Sequence, residues 1–498
     1  MPGGHFHRWA AGVSLAMLVA SPVRADTLRE ALMQAYQTNP TITGARAQLR
    51  ATDENVPIAR ANGIPSLDAT GGYSESLKSA TNSYLTAPRQ ATAGLQLTVP
   101  VFQGGAVKNN VRAAETRVEA GRAGLRSTES DLFTRVVAAY MDVILNTAVV
   151  RLNEQNVHVL QVNLDATNDR FQVGDLTRTD VAQSQARLAQ ARGQLRDAQA
   201  QLISSRETYI SVVGTPPDNL QSPPDLPNLP GSTENAVDIA LRENPQLEQA
   251  RQALKAAGYD VNVAEAGKLP KLSVILGGQY YNYLGSLPPL AVAEGVDNGG
   301  NSATAGVQLT LPIFQGGRPA AQVRQAKALR GQAIEQATAA ERQVVQDVRS
   351  AYASWQSAQY LIRSSRSAVD ANRLSLEGVR AENSVGTRTI LDILNAEQEL
   401  LNAQVQLVTA QRNAYVAGFA LLSAMGRAEA NDLGLDGGGL YDPTLHYKDV
   451  RGSVWDWREG DDAEPVATST TDTPAQTSNV APLGEDETLD LGVGDAGE

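Results

Sequence analysis

Two stretches of this chain, ATAGLQLTVPVFQGG at residues 91–105 and ATAGVQLTLPIFQGG at residues 303–317, agree at twelve of fifteen positions. The offset of 212 residues continues downstream to the pair Gly214 and Gly426. Upstream it becomes 205 residues, where Asn39 matches Asn244. Self-similarity at a fixed spacing indicates a repeated structural unit. We therefore predict a tandem duplication of a unit of about 200 residues.

The duplication divides the chain into predicted segments. They are a secretory signal at 1–25, a first repeat at 26–215, a linker at 216–231, a second repeat at 232–431, a C-terminal segment at 432–458 and an acidic tail at 459–498. The signal rests on the apolar run Trp9–Ala20, too short to span a bilayer, and on the small-x-small site Val23-Arg24-Ala25. The tail has eleven acidic and no basic residues, and such a composition predicts disorder.

Composition excludes several classes of function. The 498 residues include no Cys and four His, and 42 basic residues stand against 54 acidic ones. These counts argue against disulfides, thiolate metal sites and a His-rich metal centre. The acidic balance argues against a nucleic-acid partner, whose phosphates need a basic face. With no motif of a catalytic or nucleotide site either, we predict no catalytic, cofactor-binding or metal-binding residues, and not an enzyme.

Long helices are predicted from the absence of proline, since proline costs a helix interior about 3 kcal/mol. Residues 101–215 and 320–442 contain none. Each repeat should hold one helix of about 65 residues, roughly 100 Å long, and a last helix at Asp180–Val213 or Asp392–Met425. Apolar residues recur seven apart, as at Leu188, Leu195 and Leu202, which is typical of coiled-coil packing.

Two strands are predicted in each repeat, and apolar and polar residues alternate strictly in the second strand of each. The predicted strands are Ser66–Ser74, Thr92–Val99, Lys271–Tyr281 and Thr304–Leu311. Such strands fit either a transmembrane β-barrel or any half-buried antiparallel hairpin. Four strands cannot close a barrel, which needs about eight or more, so the membrane interpretation requires an oligomer.

The chain resembles the TolC-like outer-membrane channels of efflux pumps and type I secretion systems over about residues 27–447. The resemblance rests on the duplicated P-[VI]-F-Q-G-G corner, on the turn segments 173–181 and 385–393, and on Tyr441-Asp442-Pro443. It implies an α+β membrane protein: a homotrimeric 12-stranded transmembrane β-barrel, four strands per chain, continued by a long antiparallel coiled-coil α-helical barrel. It further implies localisation in the cell outer membrane, extending into the periplasm.

The same resemblance implies a passive exit duct for small molecules or unfolded protein. The implied partners are two further copies of the chain, outer-membrane lipid, an inner-membrane transporter of ABC or RND type, and a periplasmic adaptor (membrane fusion protein). The alternative from another class is a periplasmic or secreted coiled-coil structural protein or adhesin whose hairpins are soluble.

The resemblance also assigns roles to residues. At the periplasmic tip, Arg388 would bond Asp180 of a neighbouring helix pair, and Asp392 would form an acidic ring. Arg178 lies at the same tip, whereas Asn383 and Asn395 replace an aromatic residue and an aspartate of the family pattern. The turns that would contact the adaptor contain Val173, Gly174, Val385, Gly386 and Thr387. Glycine frees the backbone at the strand–helix corners, which comprise Pro100, Gly104, Gly105, Pro312, Gly316 and Gly317.

Overall fold

The structure is a computed structural model that describes residues 26–78, 87–227, 229–435, 439–460, 462 and 464–480. The predicted signal peptide lies outside the described residues. The first half contains α1 (Leu28–Thr38), α2 (Pro40–Asp53), α3 (Asn55–Ala61), β1 (Ser66–Glu75), β2 (Arg89–Gln103), α4 (Ala106–Gln172) and α5 (Arg178–Val213). The second half contains α6 (Thr233–Glu243), α7 (Pro245–Ala266), β3 (Lys271–Asn282), α8 (Pro289–Ala293), β4 (Gly299–Thr310), α9 (Arg318–Ser384) and α10 (Ile390–Met425), and α11 (Leu445–Val450) follows.

The first helix of each half is divided, although the sequence predicts it to be continuous over Leu28–Ala61 and Ala236–Gly267. Both divisions fall at an Asn-Pro pair. Asn39 and Asn244 have extended backbones (ψ 129° and 122°), because a residue before proline is disfavoured in the α-helical region. Each asparagine then caps the helix that begins with the proline. A second division, between α2 and α3, falls at Glu54.

The long helices have matching lengths in the two halves. α4 and α9 are 67 residues each, and α5 and α10 are 36 each. At 1.5 Å per residue the longer pair spans roughly 100 Å. α5 packs on α4 and α10 packs on α9, while α7 lies against both long helices. Coiled-coil packing suits this antiparallel arrangement, and Leu188 and Leu202 of the predicted seven-residue stripe are buried.

The main core lies where α1, α4, α5, α6 and α10 meet. Its largest fully buried side chains include Tyr140, Tyr209, Phe133 and Phe419. By length and composition alone, α4 is also apolar enough to cross a membrane, over a window that is half buried. Because α4 supplies much of this core, we interpret its apolar stretch as packing surface.

The acidic tail has fixed contacts over part of its length. The Arg206 guanidinium on α5 donates to the carbonyl oxygens of Thr477 and Asn479. The backbone N–H of Gln476 donates to a Glu207 carboxylate oxygen over 3.0 Å. The stretch from Gln476 to Asn479 thus lies on the surface of α5, where its carbonyl groups give Arg206 two acceptors. Residues 481–498, for which disorder is also predicted, lie outside the described residues.

Candidate functional site at the sheet and the helix tips

The four strands form one antiparallel sheet in the order β1-β2-β3-β4, with one apolar and one polar face. One transverse row consists of Leu67, Leu97, Leu276 and Ala305. The next row consists of Asp68, Gln96, Gly277 and Thr304. Successive residues of a strand point to opposite faces, so these rows face opposite ways. Leu67 and Val307 are 68% and 71% exposed, so the chain itself does not cover its apolar face.

The two outer strands each have an unpaired edge among the described residues. β1 pairs only with β2, and β4 pairs only with β3. An open edge of this length presents a row of free N–H and C=O groups to another strand. Both edges of the sheet are therefore open to pairing with a further strand.

The strand–helix corners of the two halves, after β2 and after β4, differ in detail. Gly104 and Gly316 have φ values of +63° and +58°, in the left-handed region that favours glycine. A Cβ on Gly104 would lie 2.9 Å from the Ala266 carbonyl oxygen, whereas one on Gly316 would meet nothing within 4 Å. β2 includes Pro100 next to a register shift, but β4 ends at Thr310, before Pro312. A proline without an N–H is tolerated at such an irregularity.

The helix pairs α4–α5 and α9–α10 turn at Gly174 and Gly386, with φ values of +86° and +83°. After each turn, a threonine and an aspartate cap the next helix reciprocally. Thr177 N–H donates to Asp180 Oδ2 and Thr389 N–H donates to Asp392 Oδ2, both over 2.9 Å. These capping boxes define where α5 and α10 begin. Val173 and Val385, just before the glycines, are both 75% exposed.

Capping also favours the ionised form of the two aspartates, Asp180 and Asp392. The Thr177 hydroxyl, followed by its N–H, holds the pKa of Asp180 below its usual value. The Thr389 N–H, followed by its hydroxyl, lowers the pKa of Asp392. Hydrogen bonds to the ionised form favour that form. Both aspartates are therefore carboxylates at neutral pH.

Arg388 pairs within its own turn rather than with Asp180. Its Nε lies 2.7 Å from Glu382 Oε2, and this hydrogen bond raises the pKa of Arg388. Asn383 supports the turn by donating its amide to the Arg388 carbonyl oxygen over 2.7 Å. Thr387 donates its hydroxyl to the Glu382 carbonyl oxygen over 2.9 Å. The bond predicted between Arg388 and Asp180 concerns neighbouring helix pairs and stays a prediction.

Two further contacts near the tip were not singled out from the sequence. Arg187 on α5 donates to the Asn395 side-chain oxygen on α10 over 2.8 Å, so it joins the two halves. Arg380 on α9 pairs with Glu397 on α10. Glu397 is buried although charged, and it stands between Leu394 and Leu401 on the apolar face of α10. An acidic residue within a row of apolar residues is the sequence signal that could have predicted the pair of Arg380 and Glu397. Arg178 is exposed at the first position of α5.

The sequence of both halves of this architecture matches a known protein family. The sequence profile described as "Outer membrane efflux protein" matches residues 31–215 and again residues 236–427. The chain belongs to this family. As a member of the outer membrane efflux protein family, it is a protein of the cell outer membrane.

Curated relatives of the family agree with this assignment over nearly their full length. The chain is 37% identical to the outer membrane efflux protein BepC of Brucella suis over 446 residues, which cover 89% of this chain and 94% of BepC. It is 28% identical to the outer membrane protein TolC of Escherichia coli over 438 residues, which cover 85% of this chain and 86% of TolC. Among solved structures, the Campylobacter jejuni CmeC outer membrane channel superposes with a TM-score of 0.70 at 18% identity, covering 85% of this chain and 89% of CmeC. The CmeC likeness concerns the fold.

Proposed function

We propose that three copies of this chain form one duct through the outer membrane. The observation that carries the proposal is the four-stranded sheet with two open edges and an uncovered apolar face. If β1 of one copy pairs with β4 of the next, three sheets close into twelve strands with no edge left. A closed barrel is the way for strands to cross a membrane, because every backbone group is then paired.

The tandem duplication is part of the same proposal. It is supported by the family profile, which matches twice, and by the equal lengths of α4 and α9 and of α5 and α10. Equivalent turns also carry equivalent capping boxes, at Thr177 with Asp180 and at Thr389 with Asp392. Two similar halves would give a trimer six similar units around its axis, which suits a tube of uniform wall.

The helices would continue the barrel as a tube of twelve helices across the periplasm. Its tip would be formed by the turns at Gly174 and Gly386, where the exposed Val173 and Val385 are free to contact an adaptor. In a trimer, three copies of Asp392 would form an acidic ring, which attracts cations. Arg388 holds Glu382 through Nε, so its terminal N–H groups would be the donors that reach Asp180 of a neighbouring helix pair.

The duct would act passively, passing small molecules or unfolded protein outward. Energy would come from an inner-membrane transporter of ABC or RND type, linked to the tip by a periplasmic adaptor. The duct would thus be the outer-membrane part of a tripartite efflux pump or a type I secretion system.

Fractionation and conductance test the proposal together. The protein should require detergent for extraction, sediment as three copies, and give discrete ion conductance when added to a planar bilayer. Extraction in buffer alone, with no conductance, would favour a soluble coiled-coil structural protein or adhesin.

A further inference from the structure

A short turn after α11 exposes two tryptophans that are separated by one residue, Asp456. Trp455 and Trp457 are 70% and 83% exposed, and the preceding Val454 is 67% exposed. The Arg458 N–H donates to the Trp455 carbonyl oxygen over 3.3 Å, which closes the turn. The chain has only four tryptophans, so two of them on one exposed turn need an explanation. Large aromatic side chains in water indicate a contact surface.

The segment before this turn is held on the helices that lead into the barrel. The Tyr441 N–H donates to the Tyr36 hydroxyl over 3.1 Å, near the start of the first half. Farther along, His446 Nε2 lies 3.2 Å from Glu54 Oε1 at the end of α2. Tyr447 then packs on the cluster of Val56, Ala59, Ala114 and Val118. From Tyr441 to Tyr447 the chain thus advances along α2 and α3 toward β1.

The tryptophans are within reach of the sheet end of the molecule. Val111, which belongs to the same cluster as Tyr447, lies five residues from the start of α4, about 8 Å along its axis. The Arg451 guanidinium remains 5.9 Å from the Tyr447 ring centre. Trp455 follows four residues later, and four residues extend up to about 14 Å. An apolar surface lies at this end, where Ile58 on α3 is 63% exposed and Phe102 of β2 is 48% exposed.

The chemistry of the turn favours a lipid surface that is not selected by charge. Residues 451–459 contain two basic and two acidic side chains, so they carry no net charge toward an anionic membrane. Tryptophan prefers the boundary between lipid headgroups and hydrocarbon, where its ring is apolar and its N–H is hydrated. Partition of the two rings, rather than charge attraction, would provide the contact.

We propose that Trp455 and Trp457 insert into the periplasmic surface of the outer membrane beside the barrel, and that they anchor the C-terminal segment there. The inference rests on the proposed function, because it needs the sheet to lie in the membrane. The anchor would form a ring of six tryptophans around a trimer.

Fluorescence quenching by brominated phospholipids tests the anchor. The mature protein is reconstituted into nanodiscs with or without brominated acyl chains, where it contains Trp355, Trp455 and Trp457. Trp355 packs edge-on against Tyr352, with ring centres 5.8 Å apart, and serves as the internal control. The Trp355→Phe variant should keep most of the bromolipid quenching, and the Trp455→Phe/Trp457→Phe double variant should lose it. Quenching of Trp355→Phe should be the same in zwitterionic discs and in discs with added anionic lipid.

Two other outcomes would overturn the anchor. Quenching of the pair by aqueous iodide but not by bromolipid would place the rings in water. Quenching by neither reagent would place them against protein, in a neighbouring copy or a partner. Conductance and trimer size are measured on the same preparations, so a conducting trimer without lipid contact at these rings would remove the anchor and leave the proposed duct intact.

Discussion

The Asn39 side-chain amide donates to the carbonyl oxygen of Val212 over 2.7 Å. Asn244, at the matching position of the second half, makes the same bond to Ala424 over 2.8 Å. Each asparagine also accepts a hydrogen bond at the start of the next helix, as Asn39 Oδ1 does from the Thr41 N–H. One side chain thus caps a short helix and bonds the last turn of a long one, which ties the two ends of each half together.

Replacing these asparagines should destabilise the helical region. Asn39→Ala and Asn244→Ala remove both bonds, and we expect each to cost about 1–2 kcal/mol. Asn39→Ser should cost less, because serine keeps the cap but is too short to reach Val212. Thermal unfolding in detergent, followed by far-UV circular dichroism, measures the order. Asn62→Ala, at an exposed helix end, is the control; a loss there as large as at Asn39 would contradict the argument.

Glu129 on α4 should make stability fall as pH rises. Burial raises its pKa to about 7, although the Ala430 N–H donates to it over 2.6 Å. Because the folded pKa lies above the unfolded value of 4.5, the folded state holds the proton that the unfolded state releases between pH 4.5 and 7. Stability therefore declines across that window, and the full cost is present above pH 7.

The Glu129→Gln variant isolates this effect. It should match the parent near pH 4.5 and exceed it by about 2 kcal/mol at pH 8. Denaturant midpoints at the two pH values provide the measurement. An equal gain or loss at both pH values would mean that ionisation of Glu129 is not responsible.

The two strand–helix corners should tolerate alanine differently. Both Gly104 and Gly316 have positive φ, so alanine strains the backbone by roughly 1 kcal/mol at either site. Only at Gly104 would the new methyl group meet a backbone oxygen, that of Ala266, at 2.9 Å. We expect Gly104→Ala to reduce trimer yield and heat resistance more than Gly316→Ala. Equal effects would show that contacts at Gly104 do not matter or that a neighbouring copy crowds Gly316.

Variants at the tip should show which partner of Arg388, Glu382 or Asp180, holds the tip closed. If Arg388 holds the closed tip, Arg388→Ala should raise single-channel conductance in planar bilayers. Glu382→Gln alone should do the same if the pair within the turn is responsible. Asp180→Asn, which keeps a capping side chain, should do so if the bond to a neighbouring helix pair is responsible. Unchanged conductance in Arg388→Ala would remove its gate role.

Local chemistry made most of the fold predictable from the sequence. Proline-free stretches and glycine turns predicted that α5 and α10 begin at Asp180 and Asp392. The helices begin two residues earlier, at Arg178 and Ile390. Alternation, strict in two of them, predicted the four strands, of which β2 extends three residues before and four beyond the predicted Thr92–Val99. The Asn-Pro divisions of the first helix in each half were missed, although proline disfavours the helical conformation in the residue before it.

Tertiary contacts explain what the sequence did not reveal at the tip. Within one chain, Thr177 caps Asp180 and Glu382 pairs with Arg388, while the bond between Arg388 and Asp180 of a neighbouring helix pair stays a prediction. The bond between Arg187 and Asn395 joins residues 208 positions apart, and no local pattern predicts such a pair. Arg206 and the two tail residues that it contacts are 271 and 273 positions apart, so no local pattern predicts them either.

Closure of the sheet between copies is the central claim, and disulfide trapping tests it most directly because the chain has no cysteine of its own. Ala69→Cys on the apolar face of β1 is combined in turn with Ala303→Cys, Ala305→Cys, Val307→Cys or Leu309→Cys on the same face of β4. Only residues directly opposite on paired strands are close enough to link. One of these combinations should yield a covalent ring of three copies on a denaturing gel under oxidising conditions. A chain that remains a single copy in every combination would contradict the barrel.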